Sequence, residues 1–516
     1  MLSVDVFRYS AQSLAQTLAQ NSEFTPLEFS NDIHGIFLNE YLSAIGVITV
    51  VVEKAYVDQH FLEDYAGYYA HCFADYSRYC MRLHFFGAQF TKTSFLKLLR
   101  GETTPLTEQN LRDTYRGFLV VKPLPQTVIG RTCLSTYPER PRFYPICRSY
   151  TVTLFGLTLV VSSLAYQEQD RAAAACASSA LWSIFHGTGH LFQHEIPSPF
   201  RITSSATSIS PPTIEVADSL SPQTRSLPSR GLSMFQMAQA VRNVGLEPYS
   251  VKVQNTFILR NTLYSYLRAK IPVLLMLNLQ TTDNRSIGKH AVAVTGYRLA
   301  DQSITDVSTG FVSVGNRIER FYVHDDQVGP FARMGIEPDG RLSTSYGGVG
   351  SHVAAPEAVL VPLISSIRIS AGTINDLVRE IDGFIEQARL AGQLDIESDR
   401  LEWDIYLISV QDFKRDILST NHLTYEHKSQ LLIHSFPLYL WRATAMEDEQ
   451  PVLDLLFDST DLEQGRILTA LVAHKPAFLR QLRTAITSIL AFAEPTLSSR
   501  LVSTLKNIVS AGQKAI

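Results

Sequence analysis

Four short apolar runs, Pro272–Leu279, Ala291–Tyr297, Phe321–Asp325 and Ala358–Val361, are set apart by polar turns and follow a stretch patterned for helices. That order constrains the chain more than any other feature. Short runs rich in apolar and β-branched residues, bounded by turn residues, mark buried strands, whereas apolar residues three and four apart mark one face of a helix. The helical pattern covers the alanine-rich Ala172–Phe185, then Met234–Val244 ended by Gly245, and Asn261–Ala269, with a short strand at Tyr249–Val253. Helices first and antiparallel strands afterwards predict an α+β fold.

With 516 residues, 45% of them hydrophobic, the chain can fill two or three cores. Three regions are expected. Residues 1–150 read as an N-terminal α/β region packing on the core. They hold a helix with Phe7, Ala11, Leu14 and Leu18 on one face, a strand at Ile45–Val52, and an aromatic stripe of Phe61, Tyr65, Tyr68, Cys72, Phe73 and Tyr76 at helical spacing. Such a stripe is read as core packing. Residues 116–166 are β-rich: Gly117–Val121, a Pro123–Pro125 corner, and Tyr150–Phe155 with Leu157–Leu164 as a hairpin around Gly156. Residues 151–365 form the central domain, in which Gly187 and Gly189 stop the alanine-rich helix and the Ser/Thr/Pro-rich 200–230 is an exposed loop. Residues 366–516 read as a mainly helical accessory domain. Its first helix carries Ile374, Leu377, Ile381, Phe384 and Ile385, followed by a strand at Trp403–Val410 and a hairpin of Leu438–Ala445 with Pro451–Phe457.

A formal net charge of −4, from 45 basic and 49 acidic residues scattered along the chain, gives no electrostatic footprint for nucleic acid or an anionic membrane. Five cysteines without a CxxC pair or framework spacing suit a reducing compartment. The N-terminus lacks the basic start and apolar run of a secretory signal. The apolar stretches Ala44–Val52 and Tyr150–Tyr166 fall short of a membrane span. A cytoplasmic protein with no membrane partner is expected.

The chemistry centres on Cys176. A thiol becomes a nucleophile when its thiolate is stabilised, and a helix N-terminus with a nearby imidazole provides that. Cys176 sits early in the alanine-rich helix, after Gln167-Glu168-Gln169-Asp170, which could supply an oxyanion-hole donor. His290 follows the turn Ser286–Lys289 and opens an apolar strand that would hold its imidazole rigidly as the base. Asp325, or its neighbour Asp326, could orient the second ring nitrogen. His186, His190 and His194 fall at four-residue intervals, but Gly187 and Gly189 argue against the continuous helix a metal site would need. Gly347-Gly348-Val349-Gly350 lacks the lysine of a phosphate loop, and Gly231-Leu232-Ser233-Met234 lacks the second glycine of a serine-hydrolase elbow.

Taken in order, Gln169, Cys176-Ala-Ser-Ser-Ala-Leu-Trp182, Gly231-Leu-Ser-Met through Gly245-Leu-Glu-Pro, Ile271-Pro-Val, Gly288-Lys-His290-Ala-Val-Ala-Val with Gly296-Tyr297, and Tyr322-Val-His-Asp325 with Gly329 resemble the C39-like peptidases over residues 165–335. The resemblance implies a papain-like cysteine protease core, with Cys176 as nucleophile, His290 as base, Asp325 as orienter and Gln169 as oxyanion-hole donor. The family places its glutamine six residues before the cysteine, whereas Gln169 lies seven before, so Gln167 stays open. The family's Asp-Cys-Gly is Ala175-Cys176-Ala177 here. His324-Asp325-Asp326 stands where the family favours Asn-Asp-Pro, so Asp326 also stays open. The implied activity is hydrolysis of a peptide or isopeptide bond in a protein or peptide substrate, with no cofactor or metal and room for a regulatory protein partner. An acyltransferase, or an inactive papain-like module that binds a partner, are the competing readings.

Overall fold

A computed structural model describes residues 4–138, 141–170, 176–208, 231–302, 304, 310–345, 352–421, 423–462, 467–493 and 497–510. Packing divides the chain into two units. The first comprises residues 1–252, 270–298 and 320–362, the second 253–269, 299–319 and 363–516. The fold is α+β with several antiparallel sheets. Among the described residues, no helix is long and apolar enough to cross a membrane.

The first unit opens with a five-stranded antiparallel meander: Val4–Arg8, Thr49–Tyr56, Cys80–Phe86, Tyr115–Val121 and Ile129–Leu134, paired in chain order. Cys80–Phe86 is buried along its whole length, as expected of a central strand covered on both faces. Leu14, Leu18, Leu38 and Leu42, from the helices Ala11–Leu18 and Ile33–Ala44, join Val50, Val52, Leu83 and Phe85 in one core. That core also contains Tyr322 and Phe331 of the site-bearing sheet, so residues 1–150 share a core with the site's scaffold.

Two readings of this region are corrected. Phe7 lies in the first strand, not on the helix, because Ser10 caps the helix with a reciprocal Ser10–Ser13 capping box and starts it at Ala11. The aromatic stripe is not one helix. The helix Gln59–Gly67 gives way to a 3₁₀ turn at Tyr69–His71, so Phe61 and Tyr69 are buried while Phe73 is fully exposed.

The second sheet of this unit has eight strands. Along its main path lie Gly329–Gly335, Ile318–Asp325, Ser286–Leu299, Val273–Thr281, His352–Leu363 and Leu342–Ser343. Arg142–Phe143 adds to Ser286–Leu299, and Glu247–Lys252 adds to His352–Leu363. The hairpin Arg148–Leu154/Leu157–Ser163 turns through Phe155 and Gly156, at φ 48° and 90°, the paired positive φ values of a tight two-residue turn.

The alanine-rich helix begins at Cys176 among the described residues and does not stop at the glycines. It runs to Phe192. Its glycines serve close packing: a Cβ at Gly187 would lie 2.8 Å from Pro272 Cγ, and one at Gly189 2.9 Å from Ile196 Cγ1. The 200–230 loop also needs correction. Ser198 caps a helix over Pro199–Thr207 with proline at its first position, and residues 209–230 lie outside the described residues.

The second unit holds a five-stranded sheet ordered Val312–Ser313, Glu402–Ser409, Tyr439–Glu447, Gln450–Asp458 and Leu468–Ala473. The expected hairpin turns at Asp448 and Glu449, both at positive φ. The helix Ala371–Leu390 buries Ile374, Leu377, Ile381, Phe384 and Ile385 as its periodicity required.

Candidate active site

Cys176 is the first described residue of its helix, a half-buried thiol outside any disulfide. The following residues, Ala177 to Thr188, are buried, so Cys176 is anchored by a helix packed on nearly every side.

His290 lies within the strand Ser286–Leu299 rather than at its start, paired with Leu277 of Val273–Thr281. The turn precedes Ser286. Asp325 ends the neighbouring strand Ile318–Asp325. His290 Nε2 is 2.9 Å from Asp325 Oδ1, and both side chains are 1% exposed. The Gln327 amide also donates to Asp325 Oδ1, at 3.1 Å, and the Val328 amide to the Asp325 carbonyl, so the turn after the strand fixes the carboxylate.

Burial opposes charge on His290, but the Asp325 charge and hydrogen bond, the Cys176 thiol and the Asp326 charge outweigh it and hold the imidazole well above its ordinary pKa. Burial raises the Asp325 carboxyl, yet the His290 charge and hydrogen bond bring it below the ordinary range. Nδ1 of His290 is buried without a hydrogen bond of ordinary geometry. The ring is therefore oriented through Nε2.

Asp326 stands differently. Its Oδ1 is 3.8 Å from His290 Nε2, and among the described residues neither carboxylate oxygen has a hydrogen-bond partner. Burial, opposed by His290 and reinforced by the Asp325 charge, pushes its carboxyl up to about 7. Of the two neighbouring carboxylates, Asp325 makes the orienting hydrogen bond. His290, Asp325 and Asp326 are close enough to share an ion, but the direct bond from His290 to Asp325 satisfies that pair without one.

No protein-family model and no curated protein matches this chain.

Gln169 is half-buried and Gln167 buried. Gln169 forms part of the wall of a cleft of about 430 Å³ that also includes Asp326. Apart from Glu168, within the segment Gln167–Asp170, the sequence pointed to none of the cleft's other polar residues. Chief among them is His34, in the first turn of Ile33–Ala44, whose Nε2 meets the Asp326 carbonyl at 3.0 Å across a sequence separation of 292 residues. His34 Nδ1 is 3.1 Å from Asp32 Oδ2 and 3.9 Å from Glu168 Oε1. Against burial, Glu168 and Asp32 push the imidazole up to about 9, so it is cationic at neutral pH. No spacing signal could have found a residue so distant along the chain.

The three spaced histidines do not converge. His186 Nδ1 meets Arg148 Nη2 at 3.1 Å, His194 meets Thr188 Oγ1 and the Glu195 carbonyl, and His190 is exposed. Ser233 is a helix cap, its hydroxyl accepting from the Gln236 amide while Gln236 Oε1 accepts from the Ser233 amide. Gly347–Gly350 lies outside the described residues.

Proposed function

We propose that this chain is a cysteine peptidase with a papain-like, C39-like core, cleaving a peptide or isopeptide bond of a protein partner through Cys176, His290 and Asp325. The observation that carries the reading is the buried His290–Asp325 pair, which leaves Nδ1 for a thiol that already acts on the ring. The chain order Cys, His, Asp and the antiparallel sheet beside the cysteine helix support it.

In the proposed cycle, Cys176 and His290 rest as a thiolate–imidazolium pair, the thiol's proton held on Nδ1, and the thiolate adds to the amide carbonyl carbon, forming a C–S bond and an oxyanion. The Cys176 backbone N–H and Gln169 are the proposed oxyanion donors. Collapse breaks the C–N bond, and the leaving amine takes the proton back from His290. Water then attacks the thioester, His290 accepts its proton, and the C–S bond breaks to release the acid and restore the thiol. Asp325 holds the ring in position and stabilises the imidazolium throughout.

The test is site-resolved iodoacetamide alkylation at pH 6.5, followed by mass spectrometry, in wild type and His290→Ala. Cys176 should react faster than the half-buried Cys72 in wild type and lose that advantage in the variant. Equal, slow labelling of Cys176 in both proteins would sink the catalytic reading and leave a partner-binding module in its place.

A further inference from the structure

The cleft beside the site has a composition that the peptidase reading does not require. Phe24, Phe29, Val128 and Ile129 supply apolar wall, while Glu28, Asp32, Glu168 and Asp326 bring four carboxylates against the one imidazolium of His34. Glu28 and Asp32 are exposed at the rim, whereas Phe29, Val128, Ile129 and Asp326 are buried. The volume, about 430 Å³, is within the range of small-ligand sites.

Three of the carboxylates are partly engaged. Glu28 closes the capping box of its helix, Asp32 accepts from His34, and Glu168 accepts from the Ile129 amide. Asp326 is not: it is 4% exposed, belongs to the cleft wall, and has no hydrogen-bond partner on either oxygen among the described residues. A buried carboxylate without a hydrogen bond is costly even with the His290 ring 3.8 Å away, and an incoming cationic hydrogen-bond donor is the ligand class that would relieve it.

We infer that this cleft is a recognition site for an alkylammonium or alkylguanidinium group, whose methylenes lie on the aromatic and aliphatic wall and whose cationic head is received by Asp326 with Glu168 and Asp32. Apolar wall with an acidic end matches the two-part character of a lysine or arginine side chain. Asp326 is the residue after the histidine's orienter, and Gln169 shares the wall, so a group held there reaches the immediate surroundings of the reactive centre. Its role as a substrate subsite rests on the peptidase reading; cation binding itself does not.

The first arm measures binding of agmatine by isothermal titration calorimetry to the full-length protein, with 1-pentanol and glutarate as neutral and anionic controls. Agmatine should bind and the controls should not. Asp326→Asn should weaken agmatine about tenfold or more, since hydrogen bonds to charged groups exceed neutral ones by that order. Asp32→Asn, at the exposed rim, should weaken it a few-fold and serves as the second variant if Asp326→Asn does not fold. Absence of agmatine binding, unchanged affinity in the variants, or binding of glutarate instead would overturn the inference. So would agmatine binding that Mn²⁺ displaces at equimolar concentration, because the group would then be a metal site.

The second arm separates the two sources of the cation. Quenched fluorescent peptides carrying arginine or lysine should be cut at least tenfold faster than peptides carrying citrulline or norleucine there if the cleft reads a substrate side chain. Incorporation of a free diamine into the acyl product would assign it to an amine acceptor. Agmatine binding without Cys176 activation leaves the cation site standing and removes the peptidase reading; Cys176 activation without agmatine binding does the reverse.

Discussion

His290 Nε2 lies 2.9 Å from Asp325 Oδ1, while the carboxylate of the very next residue, Asp326, stands 3.8 Å away without a hydrogen bond. Consecutive side chains at a strand end diverge, and the turn formed by the Gln327 and Val328 amides holds the first of them on the ring. One carboxylate orients the ring; the other stands beside it without a hydrogen bond among the described residues.

Asp325→Asn should slow Cys176 alkylation at pH 6.5 by about tenfold or more, because loss of the charge leaves the buried ring neutral and free to take the wrong tautomer. Asp326→Asn should change that rate by less than about threefold, since its oxygen makes no hydrogen bond to the ring. Site-resolved mass spectrometry on both variants checks the contrast, and equal effects would count against Asp325 as the orienter.

Asp325→Ala should destabilise the first unit by about 3 kcal/mol near pH 6, the order expected when one partner of a buried ion pair is removed. The sign follows from the shifts. His290 is raised in the folded state, so its contribution is complete below about pH 6.5 and fades as pH rises through the folded value. Asp325 is lowered, so its contribution fades as pH falls below the ordinary carboxylate range. The variant's deficit should therefore be largest between about pH 4.5 and 6.5 and shrink on either side, as urea titrations across that window would show.

Gly187→Ala should lower the melting temperature, because the new Cβ would lie 2.8 Å from Pro272 Cγ and the overpacking cost of about 1–3 kcal/mol exceeds the ~1 kcal/mol gained in helix propensity. A variant more stable than wild type would show that the glycine is not there for close approach.

Asp382→Asn should stabilise the second unit above pH 6. Trp403 Nε1 donates to Asp382 Oδ1 at 2.8 Å, and burial, opposed by that bond and by Arg400, pushes the carboxyl up to about 6. Between its ordinary value of 3.8 and about 6 the folded state holds a proton the unfolded chain has released, so wild-type stability falls as pH rises through that window. Asparagine keeps the acceptor and carries no charge. The gain should be on the order of 1 kcal/mol at pH 7.5 and absent at pH 4, read from thermal melts at the two pH values.

The sequence by itself determined the α+β class and the two hairpins, because each rests on local rules, and it named Cys176, His290 and Asp325 as the candidate set. Apolar periodicity separates helix from strand, as in Ala371–Leu390 and Val273–Thr281, and a turn such as Asp448–Glu449 is written in the residues that make it. Only the tertiary structure decided the rest. Gly187 and Gly189 read as stops until their neighbours, Pro272 and Ile196, supply the reason for missing side chains inside a continuing helix. Phe7 fits a helical stripe until the strand Thr49–Tyr56 pairs with it. The choice of Asp325 over Asp326, and the meeting of His34 with Asp326 across 292 residues, depend on strand ends and helix placement that no spacing rule encodes. Local propensity is a weak bias of a fraction of a kcal/mol per residue, and the long-range packing that overrides it is set by partners far away in the chain.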